Sequence, residues 1–227
     1  MRIIELEEVD STNEYCKQGN FSEDIIVTAK RQTGGRGTKG RSFISDLGGL
    51  YISIMRHYSD FPAGEAFRIM VSACVAVCKT LEDLGIKPQI RWANDVLVGG
   101  KKICGTLIEN TFQGNKIVRS VVGMGININN PILKELEPVA TSVFCQLSKE
   151  ISVDIVKSLL LKNLERQYTI AEYKKYTEFL GRKVILRTGN GDIEVTALDI
   201  GEDGRLIVKN QDGSIDKISS AEVSLRP

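Results

Sequence analysis

Between two runs of strand-forming residues, Ile25–Lys30 and Leu50–Met55, lies the segment Gln-Thr-Gly-Gly-Arg-Gly-Thr-Lys-Gly-Arg, residues 32–41. It places four glycines and three cations in ten positions. Glycine lets the backbone approach a ligand closely and adopt conformations that a Cβ forbids. Arg36, Lys39 and Arg41 supply charge that can neutralise phosphate or carboxylate. The segment is therefore expected to form a mobile loop that holds an anion. Two general nucleotide motifs come close. Gly35, Gly37 and Gly40 have the spacing G-x-G-x-x-G, and residues 35–42 approach a phosphate loop with Arg41 in place of lysine. Both motifs require a helix to open directly from the loop, because its N-terminus seats the phosphates. Here Ser42–Gly49 leads into another strand-like run, so strand–loop–strand argues against both nucleotide folds.

At 227 residues the chain can hold one large domain, or one medium and one small. Thirty basic and twenty-nine acidic side chains nearly cancel, which excludes a general polyanion-binding surface and makes any anion site local. Five cysteines without Cys-x-x-Cys spacing, no signal peptide and no long apolar span are expected of a reduced, cytoplasmic protein that does not enter membranes. Cys74 and Cys78 are expected in a helix core, because the single histidine, His57, lies in another element.

Along the chain, Ile3–Leu6 begins as a strand, and Ser11 to Glu14 has capping-box spacing for a short helix. Phe67, Ile69, Met70, Ala73, Val77 and Leu81 predict a helix over Glu65–Leu84, stopped by Gly85. Gln89–Trp92 and Val96–Val98 read as strands, and Lys102–Glu109 with Lys116–Ile128 as a hairpin around Gly114-Asn115. Asp154–Leu180 reads as a second long helix ended by Gly181. Short alternating runs then follow: 184–186, 193–198, 206–208, 215–218 and 223–225. Turn signals separate them at Gly189–Asp192, Glu202–Gly204 and Asp212-Gly213, which predicts a small β-barrel. The expected division is 1–180 and 181–227.

A second unusual cluster is Arg91-Trp92-Ala93-Asn94-Asp95, followed after a Gly-Gly turn by Lys101-Lys102-Ile103-Cys104-Gly105-Thr106-Leu107-Ile108-Glu109. A solvated hairpin with surface lysines accounts for either part alone. Together and in order, the clusters resemble biotin–protein ligase. Ser11-Thr12-Asn13 looks like that family's N-terminal Ser-Thr-Asn. Gln32 and Gly35-Arg36-Gly37-x-x-Gly40-Arg41 resemble its glycine-rich loop. Trp92-x-Asn94-Asp95 is similar to its Lys-Trp-Pro-Asn-Asp signature, and Lys102 with Gly105, Leu107 and Glu109 to its lysine-bearing strand. Gly123-Met124-Gly125-Ile126-Asn127 resembles its Gly-x-Gly-Ile-Asn strand end.

The resemblance implies an α+β fold: a mixed-sheet catalytic domain of the biotin/lipoyl ligase type with a small SH3-like C-terminal β-barrel. It implies a ligase using biotin, ATP and Mg²⁺ that forms biotinyl-5′-AMP and passes biotin to a lysine of a carboxyl-carrier domain of a carboxylase. Arg36 and Lys102 are then the expected catalytic cations, since two anions must be brought together and the growing charge offset. Ser11, Thr12, Asn13 and Gln32, with Gly35, Arg36, Gly37, Lys102, Gly105 and Leu107, are the expected biotin contacts; neutral donors and acceptors suit a ureido ring. Arg36, Gly37, Thr38, Arg41, Trp92, Asn94 and Asn127 are expected around ATP and the adenylate. Asp95 and Asn94 are the candidate Mg²⁺ ligands. Trp92 suits a flat wall against adenine as well as it suits a core position.

Three residues depart from the family pattern. Arg91 replaces the usual lysine, Ala93 the usual proline, and Thr38 stands where many relatives carry a second loop arginine. No helix-turn-helix precedes the catalytic motifs, so the resemblance implies a monofunctional ligase, monomeric or homodimeric, with no DNA partner. Residues 181–227 carry seven basic and eight acidic side chains and no aromatic residue, which argues against a nucleic-acid-binding barrel. A lipoate or octanoate ligase or transferase of the same fold family is the alternative, and a binding regulator without catalysis a third reading.

Overall fold

The computed structural model describes residues 1–188, 191–220 and 224–226. Strands β1 (Arg2–Val9), β2 (Ile25–Gln32), β3 (Leu50–Pro62), β4 (Gln89–Arg91), β5 (Asp95–Val98), β6 (Lys101–Gln113) and β7 (Lys116–Ile126) build one sheet in the order β1-β2-β3-β7-β6-β5-β4. Only β1–β2 is parallel; every other pair is antiparallel. Helices α1 (Thr12–Gln18), α2 (Phe67–Asp83), α3 (Val143–Leu147), α4 (Val153–Leu164) and α5 (Ile170–Lys174) cover it. The strands β8 (Lys183–Thr188), β9 (Gly191–Ile200), β10 (Leu206–Lys209), β11 (Ile215–Ile218) and β12 (Ser224–Arg226) form a second, antiparallel sheet in the order β11-β10-β9-β8-β12. Among the described residues β11 and β12 share no ladder, so the predicted barrel is seen as a five-stranded sheet. The turn at Gly189-Asn190 and Val223 of the last predicted run lie outside the described residues.

Strand alternation gives the central sheet two unlike faces. Ile52, Ile54, Val122 and Met124 join the main apolar core with α2. This helix buries more than the stripe that its spacing predicts: Val71, Val75, Ala76 and Thr80 are buried as well. Five β-branched residues in one helix, Ile69, Val71, Val75, Val77 and Thr80, run against intrinsic propensity, and packing on several sides overrides it. Cys74 and Cys78 lie in this core, and every cysteine is free. On the other face the short α1 seals only a small cluster of Cys16, Ile25, Val27, Met55 and Val121. The rest of that face is left for the loop after β2.

The long helix expected over Asp154–Leu180 is two helices. Thr169 caps α5 with a full capping box, its side chain accepting from Glu172 N–H and Glu172 returning to the Thr169 backbone N–H. Tyr168 also turns its hydroxyl back to donate to the Asn163 carbonyl, closing the first helix at 2.9 Å. The C-terminal sheet shares the main core, through Val184, Leu186, Leu206 and Val208. Trp92 Nε1 donates to the Gly204 carbonyl at 3.0 Å, and Gly204 (φ +80°) packs so closely on Phe67 that a Cβ there would stand 2.3 Å from its ring. No helix among the described residues is long and apolar enough to cross a membrane.

Candidate active site

Antiparallel register brings two rows of residues to the open face. Ser53, Gly123 and Leu107 are cross-strand neighbours on β3, β7 and β6; so are Tyr51, Gly125 and Gly105. Three of the six have no side chain, which makes a trough. Neighbouring groups fill it to the limit: a Cβ on Gly123 would lie 2.2 Å from Asn13 Oδ1, and one on Gly125 would lie 2.5 Å from the Phe43 ring. A Cβ on Gly105 would stand 2.9 Å from Lys102 Nζ. The trough floors a cleft whose lining also includes Ser11, Thr12, Gln32, Arg36 and Asn94.

Over the Ser53–Gly123 row sits a neutral hydrogen-bond network from the start of α1. Ser11 caps this helix as its spacing predicts, and Ser11, Thr12 and Asn13 are all buried. Ser53 Oγ lies 2.7 Å from Thr12 Oγ1 and 2.6 Å from Asn13 Oδ1. Gln32 Oε1 accepts from the Thr12 N–H and hydroxyl, and its Nε2 donates to Ser45 Oγ. Asn13 Nδ2 donates to Glu109 Oε2 at 2.9 Å. Both ends of the Gln32 amide and of the Asn13 amide are thus engaged with the protein.

The glycine-rich segment folds back as a narrow ladder. Gln32 N–H bonds to Ser45, Phe43 N–H to Gly35 and Gly37 N–H to Arg41, with Lys39 (φ 59°) and Gly40 (φ 70°) turning the tip. No helix opens from it; Thr38–Gly40 makes a single 3₁₀ turn. Gly35 serves this fold-back, since a Cβ there would lie 2.3 Å from the Phe43 carbonyl oxygen. The ladder sets Phe43 on the glycine floor with Lys102 Nζ 5.7 Å above its ring, a cation–π arrangement. Arg36 lines the cleft and donates Nη1 to Glu14 Oε1 at 2.9 Å.

A larger opening adjoins the first and shares Gly37, Thr38, Phe43, Asn94 and Lys102 with it. Lys39, Arg41 and Arg91 line it together with Arg187 from the C-terminal sheet; Asp95 is its one acidic lining residue. Burial and the neighbouring Arg41 lower the Lys39 pKa. Burial pushes the Asp95 carboxyl up, but the Lys102 and Arg91 charges, each 2.7 Å away, outweigh it and hold the group below the usual carboxylate range.

Not every expected residue reaches these clefts. Asn127 lines neither; its Nδ2 donates to the Thr141 carbonyl and its Oδ1 accepts from Asn130, tying the chain after β7. Trp92 borders the larger opening but is buried, with its indole N–H spent on Gly204. The peptide between Trp92 and Ala93 is cis. The two candidate Mg²⁺ ligands are both engaged with the protein through part of their side chains. Asp95 pairs with Arg91 and Lys102, and Asn94 Nδ2 donates to the Thr106 carbonyl. Phe43 and Ser53 carry no sequence signal of a site, and Glu109 reads only as the end of the lysine-bearing strand motif. Ser-x-x-Glu at 11–14 was read only as a cap, and Ser53 was hidden in an apolar run.

Residues 5–127 match the Biotin/lipoate A/B protein ligase family. The chain belongs to that family. Residues 179–226 match a second profile, the Biotin protein ligase C terminal domain. The chain is 30% identical over 235 residues to the Bifunctional ligase/repressor BirA of Bacillus subtilis, covering 97% of this chain and 72% of that protein. It is 27% identical to the Biotin--[acetyl-CoA-carboxylase] ligase of Paracoccus denitrificans, over 96% of this chain and 98% of that one. The solved biotin protein ligase from Aquifex aeolicus in complex with biotin and ATP superposes with a TM-score of 0.81 at 30% identity, covering 99% of this chain and 98% of that chain. A Lipoate-protein ligase A of Psychrobacter cryohalolentis matches over only 42% of this chain. Among family members, the biotin branch thus matches over nearly the whole length, including the C-terminal sheet.

Proposed function

We propose that this protein is an ATP-dependent biotin–protein ligase. In the first step a carboxylate oxygen of biotin attacks the α-phosphorus of ATP; the bond to the bridging oxygen breaks, giving biotinyl-5′-AMP and pyrophosphate. In the second, the amine of a lysine on a biotin carboxyl-carrier domain attacks the acyl carbon and loses a proton, and AMP leaves. One observation carries this reading. The cleft pairs a neutral hydrogen-bonding network over Gly123 with a cation, Lys102, over Gly105, across a trough without side chains. Such a slot suits a ligand with an uncharged polar head, an apolar body and an anionic tail.

Ser11, Thr12 and Asn13 would meet the ureido ring, with Gln32 holding Thr12 in place. Gly105, Gly123, Gly125, Leu107 and Phe43 would enclose the bicyclic ring and the valeryl chain. Lys102 and Arg36 would offset the carboxylate and α-phosphate charges, a role in which a fixed cation acts more strongly than a solvated one. The adjoining opening, with Lys39, Arg41 and Arg91, would take the remaining phosphates and the nucleoside. The ladder of residues 32–45 would keep water from the acyl-adenylate. Residues 1–180 form the catalytic unit in this reading, and 181–227 an accessory one that contributes Arg187 to the border of the nucleotide opening.

The test is isotope exchange between pyrophosphate and ATP. It is expected to depend on biotin and to be indifferent to lipoate or octanoate. Lys102→Ala should lower it by roughly 100- to 1000-fold, the usual cost of removing a contact to developing charge. Exchange supported by lipoate instead would move the protein to the other branch.

A further inference from the structure

Arg36 sits on an exposed loop with 59% of its side chain accessible, yet it is tied to the core of the site. Glu14 Oε1 accepts from Arg36 Nη1 at 2.9 Å and from Lys17 Nζ at 2.8 Å. Lys17 Nζ donates in turn to Glu109 Oε1 at 2.7 Å, and Glu109 Oε2 accepts from Asn13 Nδ2 at 2.9 Å. A chain of alternating charge therefore runs from the loop cation to the amide that stands over Gly123. Glu14 is nearly buried at 12% exposure and does not itself line the cleft. We propose that Glu14 is a positioning residue for adenylation, gripping Arg36 by one guanidinium nitrogen so that the others face the reacting anions.

The charge balance supports this role. A carboxylate next to Arg36 would by itself compete with an anionic ligand. Lys17, on the same carboxylate oxygen, offsets that charge and leaves the guanidinium available. Among the described residues Arg36 has no other side-chain hydrogen bond, so its remaining donors are uncommitted. An exposed ion pair contributes little to stability, so the pair matters through the place it gives Arg36. A long, exposed arginine without this anchor would sample many rotamers, and a misplaced cation loses much of its effect on a transition state.

This inference rests on the ligase reading, and the experiment separates the two. Biotin-dependent pyrophosphate exchange is measured for the full chain, Glu14→Ala, Glu14→Gln, Arg36→Ala and the double variant Glu14→Ala with Arg36→Ala. Glu14→Ala is expected to lower kcat about tenfold while KM for biotin stays within about twofold. Glu14→Gln, which keeps the shape, should fall between the two and guards against misfolding. In the Arg36→Ala background the Glu14 change should cost at most about twofold further, because the cation that it positions is gone and only its contact with Lys17 remains. An equal cost in both backgrounds, or no cost in either, overturns the proposal. Absence of exchange in the unmodified protein would instead overturn the ligase reading.

Discussion

The two faces of the β3–β7–β6 surface differ by one residue of register and by everything else. On the helix side Ile52, Ile54, Val122 and Met124 are buried in apolar packing under α2. On the open side their immediate neighbours Ser53, Gly123 and Gly125 hold a polar network and a trough. Each strand therefore writes stability and recognition into alternate positions. Substitutions one residue apart should have opposite signatures: loss of ligand with the fold intact on one side, loss of fold with the site's chemistry intact on the other.

The largest effect is expected at the trough. Gly123→Val adds atoms where a Cβ alone would already stand 2.2 Å from Asn13 Oδ1. The substitution should displace Asn13 and lower biotin affinity by about 100-fold or more, since buried polar groups lose their partners together. Titration calorimetry measures this, and the melting temperature should move little by comparison. The next effect is on the opposite face. Ile52 is fully buried, and Ile52→Ala should cost about 2–5 kcal/mol of unfolding free energy by chemical denaturation, through lost burial and a cavity. Biotin affinity of the folded fraction should stay within about threefold, well short of the Gly123→Val change. If both variants lose affinity and stability alike, the faces are not independent.

A smaller effect is expected where the two sheets meet. Trp92→Phe keeps most of the apolar volume but removes the indole N–H that donates to Gly204. The buried carbonyl left behind should cost about 1–3 kcal/mol. If Trp92 anchors the C-terminal sheet rather than stacking on adenine, denaturation should show the loss while KM for ATP holds. A rise in KM for ATP at unchanged stability would restore the adenine wall.

Much of the open face was legible in the sequence because its markers are local. Ser11-Thr12-Asn13, the Gly-Arg-Gly loop and Lys102 each sit in a motif with its own spacing. The absence of a helix after Arg41 was also visible, and it excluded both common nucleotide folds. What escaped depends on register between distant strands. Ser53 reads as one more residue of a strand until β7 places Gly123, 70 positions along, beside it. Phe43 reads as loop until the fold-back lays it on Gly125. Nothing local reveals that Arg91 and Lys102 both close on Asp95. The break between α4 and α5 was in principle readable, since Thr169-x-x-Glu172 is a capping box inside an otherwise apolar helical pattern.

The smallest effect lies at the loop tip, where the comparison of faces passes into a comparison of loop and floor. Thr38 lines both openings and brings no charge to either. The cations around it, Arg36 and Lys39, approach from neighbouring positions on the ladder, so the cover over the adenylate has one uncharged place at its centre. Thr38→Arg should add a contact to the phosphate of biotinyl-5′-AMP. On a half-exposed loop such a pair is worth at most about 1 kcal/mol, so release of the intermediate should slow by about fivefold or less. Rapid filtration of preformed biotinyl-5′-AMP complex measures the rate, and raising the salt should erase the gain because exposed charges are screened. A gain that survives high salt would mean that arginine acts by stiffening the loop instead. Equal release rates at low salt would mean that the floor, through Lys102 and the glycine trough, retains the intermediate without help from the tip.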